Sequence, residues 1–158
     1  YSNPIHSGYK IIGTYINSTM ALHDAISKGA DEALLLDKNG YVSEGSGENI
    51  FSIKENILST PKTDYCLNGI TRQSVIKIAS DLGLNVEEKD VTYEELVQSD
   101  EVFFSGTAVE ITPISKIDDV LIGLGSIGPV TEKLQNLYSD IVTGKNELYK
   151  DWLSLVSD

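Results

Sequence analysis

Apolar residues recur at two spacings along the chain, and the spacing separates helices from strands. Between Tyr15 and Ala30, Ile16, Thr19, Met20, His23 and Ile26 fall at helical intervals and Gly29 stands as the stop, which predicts one helix. Val75, Ile76, Ile78, Ala79 and Leu82 form a second stripe, ending at Gly83. Pro129 opens a third, carried by Val130, Leu134, Leu137, Tyr138 and Ile141 until Gly144. Thr92 and Glu95 have capping-box spacing and predict a short helix over Tyr93 to Ser99. The tail, with Tyr149, Trp152, Leu153 and Leu155, predicts a terminal helix that docks onto another surface.

The stretches between read as strands: 32–37, Asn49 to Lys54, Ile57 to Ser59, Glu101 to Phe104, and Val109 to Thr112 with Asp118 to Ile122 alternating with turns. Lys38-Asn39-Gly40 and Glu55-Asn56 supply hairpin turns, so the first strands are expected to be antiparallel neighbours. Residues 85–91 look like an edge strand with Glu87, Glu88 and Lys89 solvated. No repeat, linker or low-complexity segment interrupts the pattern.

With 158 residues and 41% hydrophobic content, the chain is long enough for one domain with its own core. Its net charge of −12 argues against a nucleic-acid surface or an anionic membrane face, since both need clustered Lys and Arg. A bound phosphate would have to be held locally. The single cysteine, Cys66, excludes an internal disulfide and cannot by itself form a metal cluster; it fits a reducing compartment, and cytoplasm is the expectation. No apolar run approaches the ~20 residues that span a bilayer. The chain opens at Tyr1 and runs through Ser2-Asn3-Pro4, which reads as a processed product or a piece of a longer chain.

Three segments carry candidate chemistry. In Tyr41 to Phe51 a strand-like segment breaks into a turn with Glu44, Gly45, Gly47 and Glu48, where the two glycines allow close backbone approach. Leu67 to Arg72 places Gly69, Ile70 and Thr71 at a helix N-terminus, whose free N–H groups and dipole attract anions. Lys10, among Tyr9, Ile11 and Ile12, has the apolar surroundings that turn an amine into a nucleophile. Taken singly, each has a plainer reading: a solvated turn, an ordinary capped helix, a surface lysine. His6 and His23 have no partner motif and are read as structural.

Taken together and in order, the motifs are specific. Lys10 is followed by Tyr15, then Tyr41-Val42-Ser43-Glu44-Gly45-Ser46-Gly47-Glu48-Asn49-Ile50-Phe51, Gly69-Ile70-Thr71-Arg72, Ser105-Gly106-Thr107-Ala108-Val109-Glu110-Ile111-Thr112-Pro113 and Gly128-Pro129-Val130-Thr131. Over nearly its whole length the chain resembles the C-terminal, cofactor-binding domain of class IV pyridoxal-phosphate aminotransferases, most of all the branched-chain amino-acid type. The resemblance implies a mixed α and β fold, a pseudo-barrel of mainly antiparallel strands flanked by helices, with residues 1–158 forming that domain. It implies pyridoxal 5'-phosphate as cofactor, amino-acid and 2-oxo-acid substrates, and a homo-oligomeric full-length protein.

Residue by residue, Lys10 matches the lysine that holds the cofactor and moves the proton at the substrate Cα. Glu44 matches the carboxylate that keeps the pyridine nitrogen protonated, and Tyr15 the hydroxyl at the phenolic oxygen. Gly69, Ile70 and Thr71 match the helix start that holds the phosphate, with Thr107 as a further phosphate ligand. Thr107 and Ala108 match the loop whose amides meet the substrate carboxylate. Thr14 departs from the branched-chain pattern, which commonly has Asn there, and bears on the substrate more than on the cofactor. The family's N-terminal domain, with its phosphate-binding arginine and side-chain pocket, has no counterpart here. A D-amino-acid aminotransferase and an aminodeoxychorismate lyase share the pattern, and an inactive module that binds a partner is the reading from outside enzymology.

Overall fold

The structure, a computed structural model, describes residues 10–154 and Val156. Helix α1, Tyr15–Ser27, follows a 3-10 turn at Ile12–Thr14. Strands β1 (Leu34–Leu36) and β2 (Val42–Gly45) pair antiparallel as a two-stranded sheet. Then come β3 (Asn49–Lys54), β4 (Ile57–Pro61), α2 (Ile70–Asp81), β5 (Asn85–Lys89), α3 (Tyr93–Val97), β6 (Glu101–Gly106) and β7 (Glu110–Pro113). The larger sheet has the order β5-β4-β3-β6-β7, with β3 at its centre. Strands β8 (Lys116–Ile117) and β9 (Val120–Leu121) form a small hairpin before α4 (Pro129–Val142), and a 3-10 segment over Glu147–Trp152 closes the described chain.

Mainly antiparallel strands flanked by helices are what the sequence predicted. An isolated bridge from Val42 to Val91, through the Val42 N–H and the Val91 carbonyl at 2.8 Å, carries the sheet round from beyond β5 towards β2. That link gives the partial closure of a pseudo-barrel. The predicted edge strand is indeed an edge, but it pairs parallel with β4, because α2 crosses over between them. The expected strand over Asp118 to Ile122 is instead the turn and second arm of the β8–β9 hairpin, with Asp118 at φ 48.

The central sheet is buried on both faces, and strand alternation explains how. On one face Phe51 and Phe103 stack with ring centroids 5.0 Å apart and pack with Leu58, Val75 and Ile78 of α2, and Leu134 and Ile141 of α4. The neighbouring residues Ile50 and Val102 point the other way, to Val42, Val91, Leu96 and Ile117. Each such apolar side chain contributes about 1.5–3 kcal/mol on burial. The terminal segment docks, as a kinked 3-10 segment in place of the expected regular helix: Tyr149 is buried and donates its hydroxyl to Asp81 at 2.7 Å. Leu155 lies outside the described residues. Among the described residues no helix is long and apolar enough to cross a membrane.

Candidate functional site

The site begins with the turn between β2 and β3. Gly45 donates its N–H to the Glu48 carbonyl at 2.7 Å, closing the turn. A Cβ on Gly45 would stand 2.7 Å from Glu48 Oε2 and 2.9 Å from Phe104 Cε1, so no larger residue fits without displacing both. Glu48 turns back on the loop and accepts the Gly47 N–H at 2.9 Å; burial pushes its carboxyl above the usual carboxylate range.

Glu44, half-buried on β2, accepts the Leu67 N–H at 3.0 Å. Asn49, buried at the start of β3, donates to the Leu67 carbonyl at 2.7 Å. One residue of the β4–α2 loop is thus held at both polar atoms by the two ends of the Glu44 turn. Ser43 Oγ adds a bond to the Tyr65 carbonyl. Arg72, 2 % exposed, holds the same loop from beneath by donating to the Pro61 carbonyl at 2.9 Å, to Asn68 Oδ1 at 3.4 Å and to Glu88 Oε2 at 2.6 Å.

Cys66 lies in this loop, buried, its thiol directed at the Lys62 carbonyl at 3.3 Å. Burial pushes the thiol up to about 12. An alkylating reagent at pH 8 is therefore expected to leave Cys66 unmodified in the folded protein and to label it fully in denaturant; mass spectrometry of the two samples checks this. The unfolded thiol ionises from about pH 8.5. Between there and about 12 the folded chain binds the extra proton, so this group lowers stability as pH rises through that window.

The loop delivers the chain to α2 at an N-terminus that carries no side-chain cap. The other two helix starts in this half of the fold are satisfied differently. Thr92 and Glu95 close a complete capping box on α3, and the buried Glu101 carboxylate accepts the Val130 and Thr131 N–H groups of α4 at 3.0 and 2.7 Å. A twelve-residue helix with open first-turn amides presents partial positive charge to any anion placed there. Gly69 lets the helix start come down onto the sheet: a Cβ there would lie 2.5 Å from Asn49 Oδ1. Thr71 is buried in that first turn and Ile70 is exposed above it.

The third wall is the β6–β7 connection. Ser105 pairs with Asn49 across the sheet, so the residues that follow project beyond the strand end beside the Glu44 turn. A Cβ on Gly106 would lie 3.6 Å from Glu48 Cγ and 3.7 Å from the Gly47 carbonyl, which places this loop against that turn. Thr107 and Ala108 are exposed at this rim. Glu44, Gly69, Ile70, Thr71, Thr107 and Ala108 thus converge on one end of the sheet.

Lys10 and Tyr15 are placed differently. Both are exposed at the approach to α1, and Ile11 and Ile12 beside Lys10 are exposed too. The described residues do not by themselves assemble apolar burial around Lys10. The physical reason lies in α1, which is anchored by a small cluster of Ala21 with Ala33 and Leu35, while Ile12, Ile16 and Met20 face outward. Leu35 pairs with Glu44 across β1–β2, so the anchor of α1 adjoins the strand that carries the carboxylate. His23 is exposed on α1, and His6 lies outside the described residues.

Asn49, Leu67 and Ser105 were not singled out from the sequence as site residues. Asn49 and Ser105 carried a usable signal, each being polar within or at the end of an otherwise apolar strand run. Leu67 acts only through its backbone and carried none.

An open helix start, a glycine-backed carboxylate turn and a hydroxyl-rich hairpin loop on a mixed, mainly antiparallel sheet define the protein class. The chain belongs to the amino-transferase class IV family, whose pattern matches residues 2–117. Within that family it is similar to branched-chain aminotransferases. It is 54% identical over 144 residues to the branched-chain-amino-acid aminotransferase of Pseudomonas aeruginosa, covering 91% of this chain and 47% of that protein. It is 48% identical over 158 residues to the probable branched-chain-amino-acid aminotransferase of Aquifex aeolicus, covering 99% of this chain and 51% of that one. Among solved structures, the T.th. branched-chain amino acid aminotransferase complexed with N-(5'-phosphopyridoxyl)-L-glutamate matches with a TM-score of 0.94 at 46% identity, over 97% of this chain and 52% of that one. The chain spans about half the length of these relatives.

Proposed function

We propose that residues 1–158 form the C-terminal, cofactor-binding domain of a pyridoxal-phosphate-dependent branched-chain aminotransferase, acting as a cytoplasmic homo-oligomer. The full-length protein would move an amino group reversibly between leucine, isoleucine or valine and 2-oxoglutarate. The observation that carries this reading is the uncapped start of α2, framed by Glu44 and by Ser105 to Ala108, in a chain so similar to the phosphopyridoxyl-glutamate complex. A phosphate fits there, because no side chain caps the first-turn amides, and Gly69 lets that helix start approach Asn49 at the sheet end.

When bound, pyridoxal phosphate supplies a protonated ring that takes up the electron pair left at the amino acid's Cα. Glu44 would keep the proton on the ring nitrogen, and the bond it accepts from the Leu67 N–H holds its carboxylate in place. Lys10 would hold the cofactor through its amine and, when free, would carry the proton at the substrate Cα as base and then acid. Tyr15 would donate its hydroxyl to the ring's phenolic oxygen. Gly69, Ile70 and Thr71 bind the phosphate with Thr107, and the amides of Thr107 and Ala108 orient the substrate carboxylate. Lys10 acquires its apolar enclosure when the rest of the protein covers the exposed Ile12, Ile16 and Met20 face.

The test is an assay of the full-length protein with pyridoxal phosphate, offering L-leucine, D-alanine and aminodeoxychorismate separately. Glutamate formation from L-leucine and 2-oxoglutarate is the expected result. Preference for D-alanine, or pyruvate release from aminodeoxychorismate without amino transfer, would assign the chain to one of the other two reactions. The 158-residue chain alone is expected to fold and to bind the cofactor weakly, with no turnover; leucine-dependent glutamate formation near the full-length rate would overturn that division of labour.

A further inference from the structure

Ser105 is 1 % exposed, and its Oγ has no hydrogen-bond partner. A buried hydroxyl left in that state lowers stability, and a partner supplied from outside the chain would relieve the cost. Its place in the sheet says where that partner lies. Ser105 is two residues beyond Phe103 on β6 and directly opposite Asn49 on β3, so all three side chains share the face covered by α2. Phe51 and Phe103 lie under Val75 and Ile78, in the second and third turns of the helix. Asn49 and Ser105 are the next pair along, and Asn49 touches the backbone at Gly69, the N-cap. The orphaned hydroxyl therefore sits beneath the uncapped first turn.

We infer that Ser105 is a further phosphate-binding residue: its hydroxyl donates a hydrogen bond to the phosphate held at the α2 N-terminus, from the sheet side. This rests on the cofactor assignment proposed above. Thr71 and Thr107 approach the same anion from the helix and from the loop, and Ser105 completes the floor. A charged acceptor gives such a bond more strength than a neutral one, and it is made only when the phosphate is present.

The experiment uses the full-length protein and its Ser105→Ala, Ser105→Cys and Ser105→Thr variants. Each is titrated with pyridoxal phosphate and with pyridoxal, which lacks the phosphate, and the thermal midpoint of each cofactor-free protein is measured. Ser105→Ala and Ser105→Cys are expected to raise the dissociation constant for pyridoxal phosphate about tenfold, leave that for pyridoxal unchanged, and leave the cofactor-free midpoint equal or slightly higher. Ser105→Thr, which keeps the hydroxyl, is expected to restore most of the affinity. Equal loss for both ligands, a cofactor-free midpoint lowered in both the Ala and Cys variants, or no change in affinity at all would each show that Ser105 is a structural residue. Failure of the unaltered protein to bind pyridoxal phosphate would remove the cofactor reading itself, and this inference with it.

Discussion

Replacement of Lys10 by alanine in the full-length protein is expected to abolish turnover, with a fall in kcat on the order of 10^6, the scale seen when a group acting as a nucleophile or proton carrier is deleted. The fold of the 158-residue chain by itself should barely register the change. Lys10 is exposed, and surface substitutions away from special features usually shift stability by no more than about 0.5 kcal/mol. The neighbouring lysines are engaged elsewhere: Lys28 pairs with Asp24 at 2.6 Å, and Lys38 lies 5.4 Å from the centre of the Tyr65 ring. Borohydride reduction of the cofactor-loaded protein followed by peptide mapping is expected to place the covalent label on Lys10 alone. A label on Lys28 or Lys38 would end the assignment.

Glu44→Gln is expected to separate binding from catalysis. The amide oxygen of Gln can still accept the Leu67 N–H, so the loop that leads to α2 stays in place and the cofactor is retained. An amide cannot keep the ring nitrogen protonated as a carboxylate does, and the expected loss in kcat is about 10^2- to 10^3-fold, on the scale of ~2.7–4 kcal/mol for one electrostatic stabiliser. Single-turnover kinetics with leucine under saturating cofactor measure it. Rates within a factor of two of the unaltered protein would make Glu44 a turn residue and move attention to Glu48.

The helices were legible because their punctuation is local. Pro129 stands at the first turn of α4, Gly83 and Gly144 lie just beyond the ends of α2 and α4 at positive φ, and the Thr92–Glu95 capping box closes as its spacing predicts. Strand partners are set by distant residues, and the pattern of β5 contains nothing that distinguishes a parallel neighbour from an antiparallel one. Two-residue strands such as β8 and β9 have no periodicity to read. In the site, the side chains with a recurring motif were visible one by one. The groups that position them were not: Arg72 looks like any helix cation until its partners at Pro61 and Glu88 are known, and the Leu67 backbone has no side-chain signature at all. Nor does the pattern around Lys10 say what encloses it, since its apolar sequence neighbours Ile11 and Ile12 are both exposed in this chain.

The central position of β3 also sets the order in which the molecule assembles. Its pairing with β4 needs only the Glu55-Asn56 turn, both residues at positive φ, and a hairpin of that kind closes in about 1–10 μs. Its other partner, β6, is roughly fifty residues further along, and contacts of that separation form slowly because loop closure comes before their reward. Asn49 and Ser105 face each other only once this late pairing is complete. On a ribosome, a nascent chain that has emerged as far as α2 would already own two strand pairs and two helices, while the pairing that sets Ser105 opposite Asn49 would still be to come.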